Sequence, residues 1–221
     1  MTFSVLALDR ATGAIGGAAA TGNLAVGAWV LRAAAGVGAV ATQGMSVSAP
    51  WGDEGLARLA RGESPQEIVS DLTQADTGRD HRQLAVMDAA GRSAAWTGPH
   101  NEDWKGHVAG VDCVFAGNWL SNRDVLAEMQ RAYGDGTATK REFGRRLLAV
   151  LDAAMEAGSD ARGTLSAAIR IVHPARPPLD LRVDHDLTPL ARLHALYDMA
   201  THPPYSEWIG QLPTQDDPCR H

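Results

Sequence analysis

Cysteine is nearly missing from this chain: Cys113 and Cys219 are the whole supply, one amid apolar residues and the other in a proline-rich tail. Two thiols so placed exclude a disulfide framework and a cysteine-based zinc site, and a reducing cytoplasm is the compartment this usage implies. Basic runs are short as well. Lys and Arg never occur more than two together, and 20 of them against 26 Asp and Glu leave a net charge of −6, which argues against a nucleic-acid partner. Long apolar runs are lacking too. The longest one near the start, residues 24–31, is too short to cross a bilayer and follows no charged segment, so neither a membrane span nor a signal peptide is expected.

What remains is a globular composition, 45% hydrophobic and 21% charged over 221 residues, enough for one domain with a layered core. Residues 1–200 are expected to form that domain and residues 201–221 an irregular Pro-rich tail. Residues 3–8 and 14–20 are apolar runs around Thr12-Gly13, the pattern of a hairpin that begins at the second residue. Residues 25–31 and 37–42 are read as further buried strands. Residues 51–61 and 64–72 follow as helices, the second opened by Ser64-Pro65-Gln66-Glu67, a capping box with proline in the first turn. A second hairpin pairs residues 83–88 with 93–97, and residues 108–116 form one more strand. Ser121 is expected to cap a helix whose inner face carries Val125, Leu126, Met129 and Tyr133, and a longer helix spans residues 140–157 before Gly158. Strands at 164–172 and 179–183 precede a helix starting at Thr188-Pro189. Hairpins and helices in this order give an α+β class with two mainly antiparallel sheets between helical layers, not an alternating βαβ sheet.

The position with most chemical content is Thr2. Removal of Met1 would leave a hydroxyl and a free α-amine on one residue at the start of a strand. That amine titrates at roughly 7.7 to 8.0, so near neutrality it can take the hydroxyl proton and activate the oxygen as a nucleophile.

The residues around this position carry a family resemblance. Thr2-Phe3-Ser4-Val5, Thr12-Gly13, Leu24-Ala25-Val26-Gly27, the run from Ala35 through Gly36-Val37-Gly38 to Thr42-Gln43, His81-Arg82-Gln83, Gly106-His107, Gly117-Asn118, Asp160-Ala161-Arg162-Gly163 with Ser166, and Asp180-Leu181-Arg182-Val183-Asp184 together resemble domain-of-unknown-function family 1028. The likeness runs to about Leu196. That family in turn resembles the N-terminal-nucleophile hydrolases, which implies a four-layer αββα sandwich and a nucleophile at the first residue of the mature chain. Thr2 matches the leading threonine. The resemblance implies that Asp160 and Ser166 sit near the terminal amine, with Arg162 beside them, and that Asn118 offers an amide to a developing oxyanion. His81 and His107 fall in matching motifs and are read as substrate-binding or proton-transferring groups, or as buried and satisfied ones. Thr21 stands where the family often has Ser and is placed with the substrate contacts; Pro50, Trp51 and Trp119 also depart locally. Asp9 is read equally as a turn former.

Competing patterns are weaker. Gly36-Val37-Gly38-Ala39-Val40-Ala41 matches a loose dinucleotide fingerprint, but no helix opens behind the glycines. Gly44-Met45-Ser46-Val47-Ser48 approaches a nucleophile elbow, yet its fifth residue is Ser and Pro50 limits the helix that must follow. Asp184-His185-Asp186 with His81, His100 and His107 has no metal-binding spacing, so neither a metal nor an organic cofactor is expected. Cys113 reads as a small core residue, and Trp51, Trp104 and Trp119 as loop residues able to line a pocket or to pack. The function so implied is hydrolysis of a C–N bond in a small amide, lactam or related molecule by a homo-oligomer. The reading from the other class is a noncatalytic small-molecule-binding or scaffold protein on the same fold.

Overall fold

The computed structural model describes residues 2–134, 142–158 and 163–221. Among them, ten strands and seven α-helices alternate in blocks. β1 (Thr2–Asp9) and β2 (Ala14–Thr21) form the opening hairpin, paired from Thr2↔Thr21 to Asp9↔Ala14. Its loop is closed by Thr12 and Gly13 amides donating to the Asp9 carbonyl at 3.2 and 2.7 Å. Gly13 sits at φ +80 with open space around it, so backbone conformation, not crowding, demands glycine there.

Residues 25–31 do not form the expected strand. They make the short α1 (Val26–Trp29), followed by β3 (Leu31–Ala34). The reason is tertiary: Ala25 adopts a left-handed conformation, its amide donates to the Asp184 carbonyl at 3.0 Å, and the Val26 amide donates to Ser166 Oγ at 3.1 Å. A strand-like composition is thus bent into a helical turn by partners remote in the chain, Ser166 lying 140 residues from Val26. β4 (Gly38–Gly44) completes a hairpin with β3, so Gly36 and Gly38 serve a turn.

α2 (Ala49–Ala60) begins with Pro50 in its first turn and Ser48 capping the Trp51 amide. A helix therefore does follow Gly44-Met45-Ser46-Val47-Ser48, because proline is tolerated where the amide has no intrahelical acceptor. Ser46 is no free nucleophile: its Oγ accepts from Arg82 Nη1 at 2.8 Å. α3 (Pro65–Ala75) carries the full capping box between Ser64 and Glu67. β5 (Arg82–Asp88) and β6 (Ser93–Thr97) form the second hairpin. Where one strand was expected over residues 108–116 there are two, β7 (Gly106–Gly110) and β8 (Cys113–Asn118), turned at Val111 and Asp112. α4 (Asp124–Gly134) buries Val125, Leu126, Met129 and Tyr133; its leading amide is capped by Asn122, not Ser121. α5 (Phe143–Glu156), β9 (Ser166–His173), β10 (Arg176–Val183) and α6 (Pro189–Thr201) follow. The tail is only partly irregular, since it folds α7 (Tyr205–Ile209).

The strands order as β10-β9-β2-β1-β8-β7 in one sheet and β3-β4-β5-β6 in the other, with every pairing antiparallel. Side-chain alternation then assigns the faces. Phe3, Val5 and Ala7 of β1 pack with Leu147, Leu148 and Leu151 of α5 and with Leu193 and Tyr197 of α6. Leu6 and Leu8 point the other way, to Ala39, Ala41, Ala85 and Met87 of the second sheet. The outer face of that sheet, with Val40, Leu84 and Val86, is covered by Leu59 of α2 and Ile68 of α3. Trp51 belongs to this last cluster and is buried, not in a loop. Cys113 is buried as well, and burial pushes its thiol up to about 11, as befits a core residue.

One close approach makes a test. Gly144 lies in the first turn of α5, and a methyl added there would meet the ring and hydroxyl of Tyr197, which is 1% exposed and cannot swing aside. Alanine would gain up to about 1 kcal/mol of helix propensity against about 1–3 kcal/mol of overpacking. Gly144→Ala is expected to lower stability in urea unfolding despite the better helix former; a higher midpoint would overturn this account of the contact.

Candidate active site

On the strands that face each other across the two sheets, the inward residues run from apolar to polar in the same direction. In β1 the series is Leu8, Leu6, Ser4, Thr2; in β4 it is Ala39, Ala41, Gln43; in β5, Met87, Ala85, Gln83; in β8, Val114, Ala116, Asn118. The antiparallel registers align these ends. Ser166 of β9 lies opposite Thr21 of β2, Thr21 opposite Thr2, and Thr2 opposite Asn118. Four polar side chains thus form one row across four strands, with Gln43 and Gln83 of the other sheet facing it.

The carboxamides bind the two sheets together here. Gln83 is fully buried. Its Oε1 accepts from Gln43 Nε2 at 2.9 Å and from Asn118 Nδ2 at 2.8 Å. Its two Nε2 N–H groups are shared among three acceptors, the Gly117 and Gly106 carbonyls at 2.8 and 3.0 Å and Thr97 Oγ1 at 3.0 Å. Gln43 accepts from Ser4 Oγ at 2.6 Å and donates to the Thr2 carbonyl at 3.3 Å. Thr2 Oγ1 meets Thr21 Oγ1 at 3.0 Å. Asn118 has two N–H groups, and Gln83 takes one.

Above this row opens a cavity of about 440 Å³. Thr2, Thr21, Gln43 and Asn118 form its polar floor, and Trp29, Met45 and Trp119 are among its walls. Trp29 and Met45 are half exposed, and so is Leu24, which borders the same opening. The wall is held by strained backbone: Ala25 and Trp119 both have positive φ, at 54 and 56. Such conformations cost about 1–3 kcal/mol in non-glycine residues and persist where surrounding bonds impose them. For Trp119 the bond is its amide to the Glu102 carbonyl at 2.8 Å; for Ala25 it is the Asp184 carbonyl already described. Ser166 fastens the same loop twice, since its Oγ donates to the Asn23 carbonyl at 2.8 Å and accepts from Val26. No charged side chain borders this cavity among the described residues, and no three His, Cys, Asp or Glu among them group as metal ligands.

Comparison with known proteins extends the picture over the whole chain. Residues 2–193 match the family model described as a family of unknown function, DUF1028. The chain belongs to the DUF1028 family. A crystal structure of protein SPO2555 from Silicibacter pomeroyi, also assigned to DUF1028, is similar at 46% identity, with 99% of this chain and 94% of that one covered and a TM-score of 0.94. Curated proteins contain no match.

The residues singled out from sequence fall into three groups on this DUF1028 fold. Thr2, Thr21, Asn118 and Ser166 come together in one row. Ser166 serves there as the anchor of the wall, because both of its hydrogen bonds go to the loop at residues 23–26. Asp160 and Arg162 lie outside the described residues. His81 and His107 do not border the cavity. His81 ends a 3-10 turn whose carbonyl accepts the Ser46 amide at 3.1 Å, and its ring faces His100 at 5.1 Å between centroids. His107 lies on β7, the outermost strand of its sheet, with Nδ1 2.9 Å from Thr97 Oγ1; desolvation holds its pKa below the ordinary imidazole value. Asp9 stands at the far end of β1. Trp104 is exposed and does not line the cavity, whereas Trp119 does.

Three polar residues of this network are not singled out by the sequence: Ser4, Gln43 and Gln83. Gln83 belongs to the His81-Arg82-Gln83 motif, in which the histidine drew attention. The available signal was parity, since each is a polar residue placed an even number of positions from inward-facing apolar ones at a strand end. Removing the central carboxamide should cost heavily, because three buried partners, Gln43, Asn118 and the Gly117 carbonyl, would lose it at about 1–3 kcal/mol each when unmade. Gln83→Leu is expected to lose about 3 kcal/mol or more in denaturant unfolding; a loss under about 1 kcal/mol would show that the network is not what joins the sheets.

Proposed function

We propose that the protein is an N-terminal-nucleophile amidohydrolase in which Thr2, once Met1 is removed, attacks the carbonyl of a small, uncharged amide or lactam. The observation that carries the reading is the position of the Thr2 hydroxyl on the floor of the cavity, between the Thr21 hydroxyl and the Asn118 amide. Two further features support it: antiparallel sheets packed face to face with helices outside, and a first strand that delivers its leading residue to a pocket.

The chemistry follows from the groups at hand. The freed α-amine takes the Oγ1 proton, directly or through one water, and Oγ1 bonds to the substrate carbonyl carbon. The unused Asn118 N–H faces the developing oxyanion, the kind of donor whose loss costs about 2.7–4 kcal/mol elsewhere. Collapse of the tetrahedral species breaks the C–N bond, and the α-ammonium returns its proton to the leaving nitrogen. Water, deprotonated by the same amine, then cleaves the ester and restores the Thr2 hydroxyl. Thr21 orients Oγ1 through its hydrogen bond. The apolar rim of Trp29, Met45 and Trp119 suits the hydrocarbon or aromatic part of the substrate.

Two measurements test the proposal. Intact-mass analysis is expected to find the working chain without Met1, and a preparation that hydrolyses amides while wholly retaining Met1 would exclude the free-amine mechanism. An electrophilic β-lactone probe should acylate Thr2 Oγ1, with labelling that rises as pH increases through roughly 7.7 to 8.0, where the amine becomes neutral. Thr2→Ala should abolish this adduct and lower amide turnover by roughly 10³-fold or more. Labelling of another hydroxyl, with Thr2 unmodified, would contradict the assignment.

A further inference from the structure

A second cavity, of about 670 Å³, opens at the other end of β1, roughly 23 Å from Thr2 along seven residue steps of the strand. Phe143 of α5, Ile171 of β9, Leu179 of β10 and Tyr197 of α6 give it apolar walls, and Ile209 of α7 closes one side. Phe143 and Tyr197 are themselves buried. This is a lined hollow between elements, built in part by the tail.

Set into these walls is a guanidinium in an unusual condition. The Arg146 side chain is only 13% exposed, and its Nε is buried without a hydrogen-bond partner. Its charged carbon lies 4.4 Å over the Tyr133 ring. The nearest carboxylate, Asp9 Oδ1, stands 3.6 Å from Nη1, too far for a hydrogen bond, and the other Asp9 oxygen accepts from the Thr12 hydroxyl at 2.6 Å. Arginine carries five donors and never loses its charge, so a guanidinium this buried and this poorly bonded is costly to leave as it stands. Arg220, on the same cavity, has Asp217 at 3.3 Å. Arg176, also on its wall, has no carboxylate within ion-pair distance among the described residues.

We propose that this cavity is a second ligand site, for a small organic monoanion whose carboxylate docks on Arg146 and whose alkyl or aryl body lies against Phe143, Ile171 and Leu179. Asp9 and Glu142 on the lining offset two of its three arginines, Arg146, Arg176 and Arg220, which leaves one carboxylate on a hydrocarbon body as the chemistry that fits. The inference is independent of the reaction assigned to Thr2.

The test is an NMR titration of the full chain with octanoate, with octanol as the uncharged control. Saturable amide shifts are expected at Ile171, Leu179 and Ile209, with a dissociation constant below about 1 mM, and much weaker shifts with octanol. Arg146→Met should weaken octanoate at least about tenfold, since charge-assisted hydrogen bonds are lost. Ile209→Trp, which fills the cavity from α7, should abolish binding with an unchanged circular dichroism spectrum; it decides the matter even if Arg146→Met fails to fold. Absence of saturation, equal binding of octanol, or shifts gathered at Trp29 and Met45 would each overturn the proposal.

Discussion

One buried carboxamide governs the geometry at the working end of this molecule. Gln83 reaches from the four-stranded sheet to the β7 and β8 carbonyls of the six-stranded one and to Asn118, and through Gln43 to the backbone of Thr2. A polar group so placed is tolerated only when its donors and acceptors are met. Meeting them fixes the spacing and register of two sheets that elsewhere touch through apolar side chains. The alanines and leucines between the sheets would allow sliding; the carboxamides do not.

That constraint also explains where a pocket can exist. Apolar inward residues pack the sheets closely along most of their length, while the polar residues at the strand ends hold them without filling the space beyond. The opening is then walled by the loop at residues 23–26, by Trp119, and by the turn after β4, each fixed by a hydrogen bond remote in sequence. At the opposite end of β1 the logic is reversed. There the apolar walls come from α5, the β9–β10 ribbon and the tail, and among the charged groups set into them is an arginine, Arg146, without a hydrogen-bonded carboxylate. The two cavities are separated by the length of one strand.

Much of this arrangement was legible in the chain. The hairpins at Thr12-Gly13 and Ala89–Arg92, the capping box at Ser64 and the buried stripe of Val125, Leu126, Met129 and Tyr133 rest on neighbours within a few residues, so local pattern sufficed. Thr2, Thr21, Asn118 and Ser166 were all marked, and they share one row. The reading failed where distant contacts overrode local preference. Residues 25–31 look like a strand but turn helically on Ser166 and Asp184, and residues 108–116 look continuous but reverse at Val111 and Asp112. His81 and His107 drew notice for their chemistry, yet β7 lies at the sheet edge and the turn holding His81 points its ring toward His100.

The sequence alone determined which faces of the strands are apolar, where α3 and α6 begin, and that a hydroxyl residue leads the first strand, because periodicity and capping are properties of adjacent residues. Only the tertiary structure decided that Gln43 and Gln83 stand beneath Thr2, and that Arg146 is buried beside a cavity without a bonded acceptor. Those facts depend on register between strands and on packing between layers, which bring together residues whose separation along the chain carries no signal of their meeting.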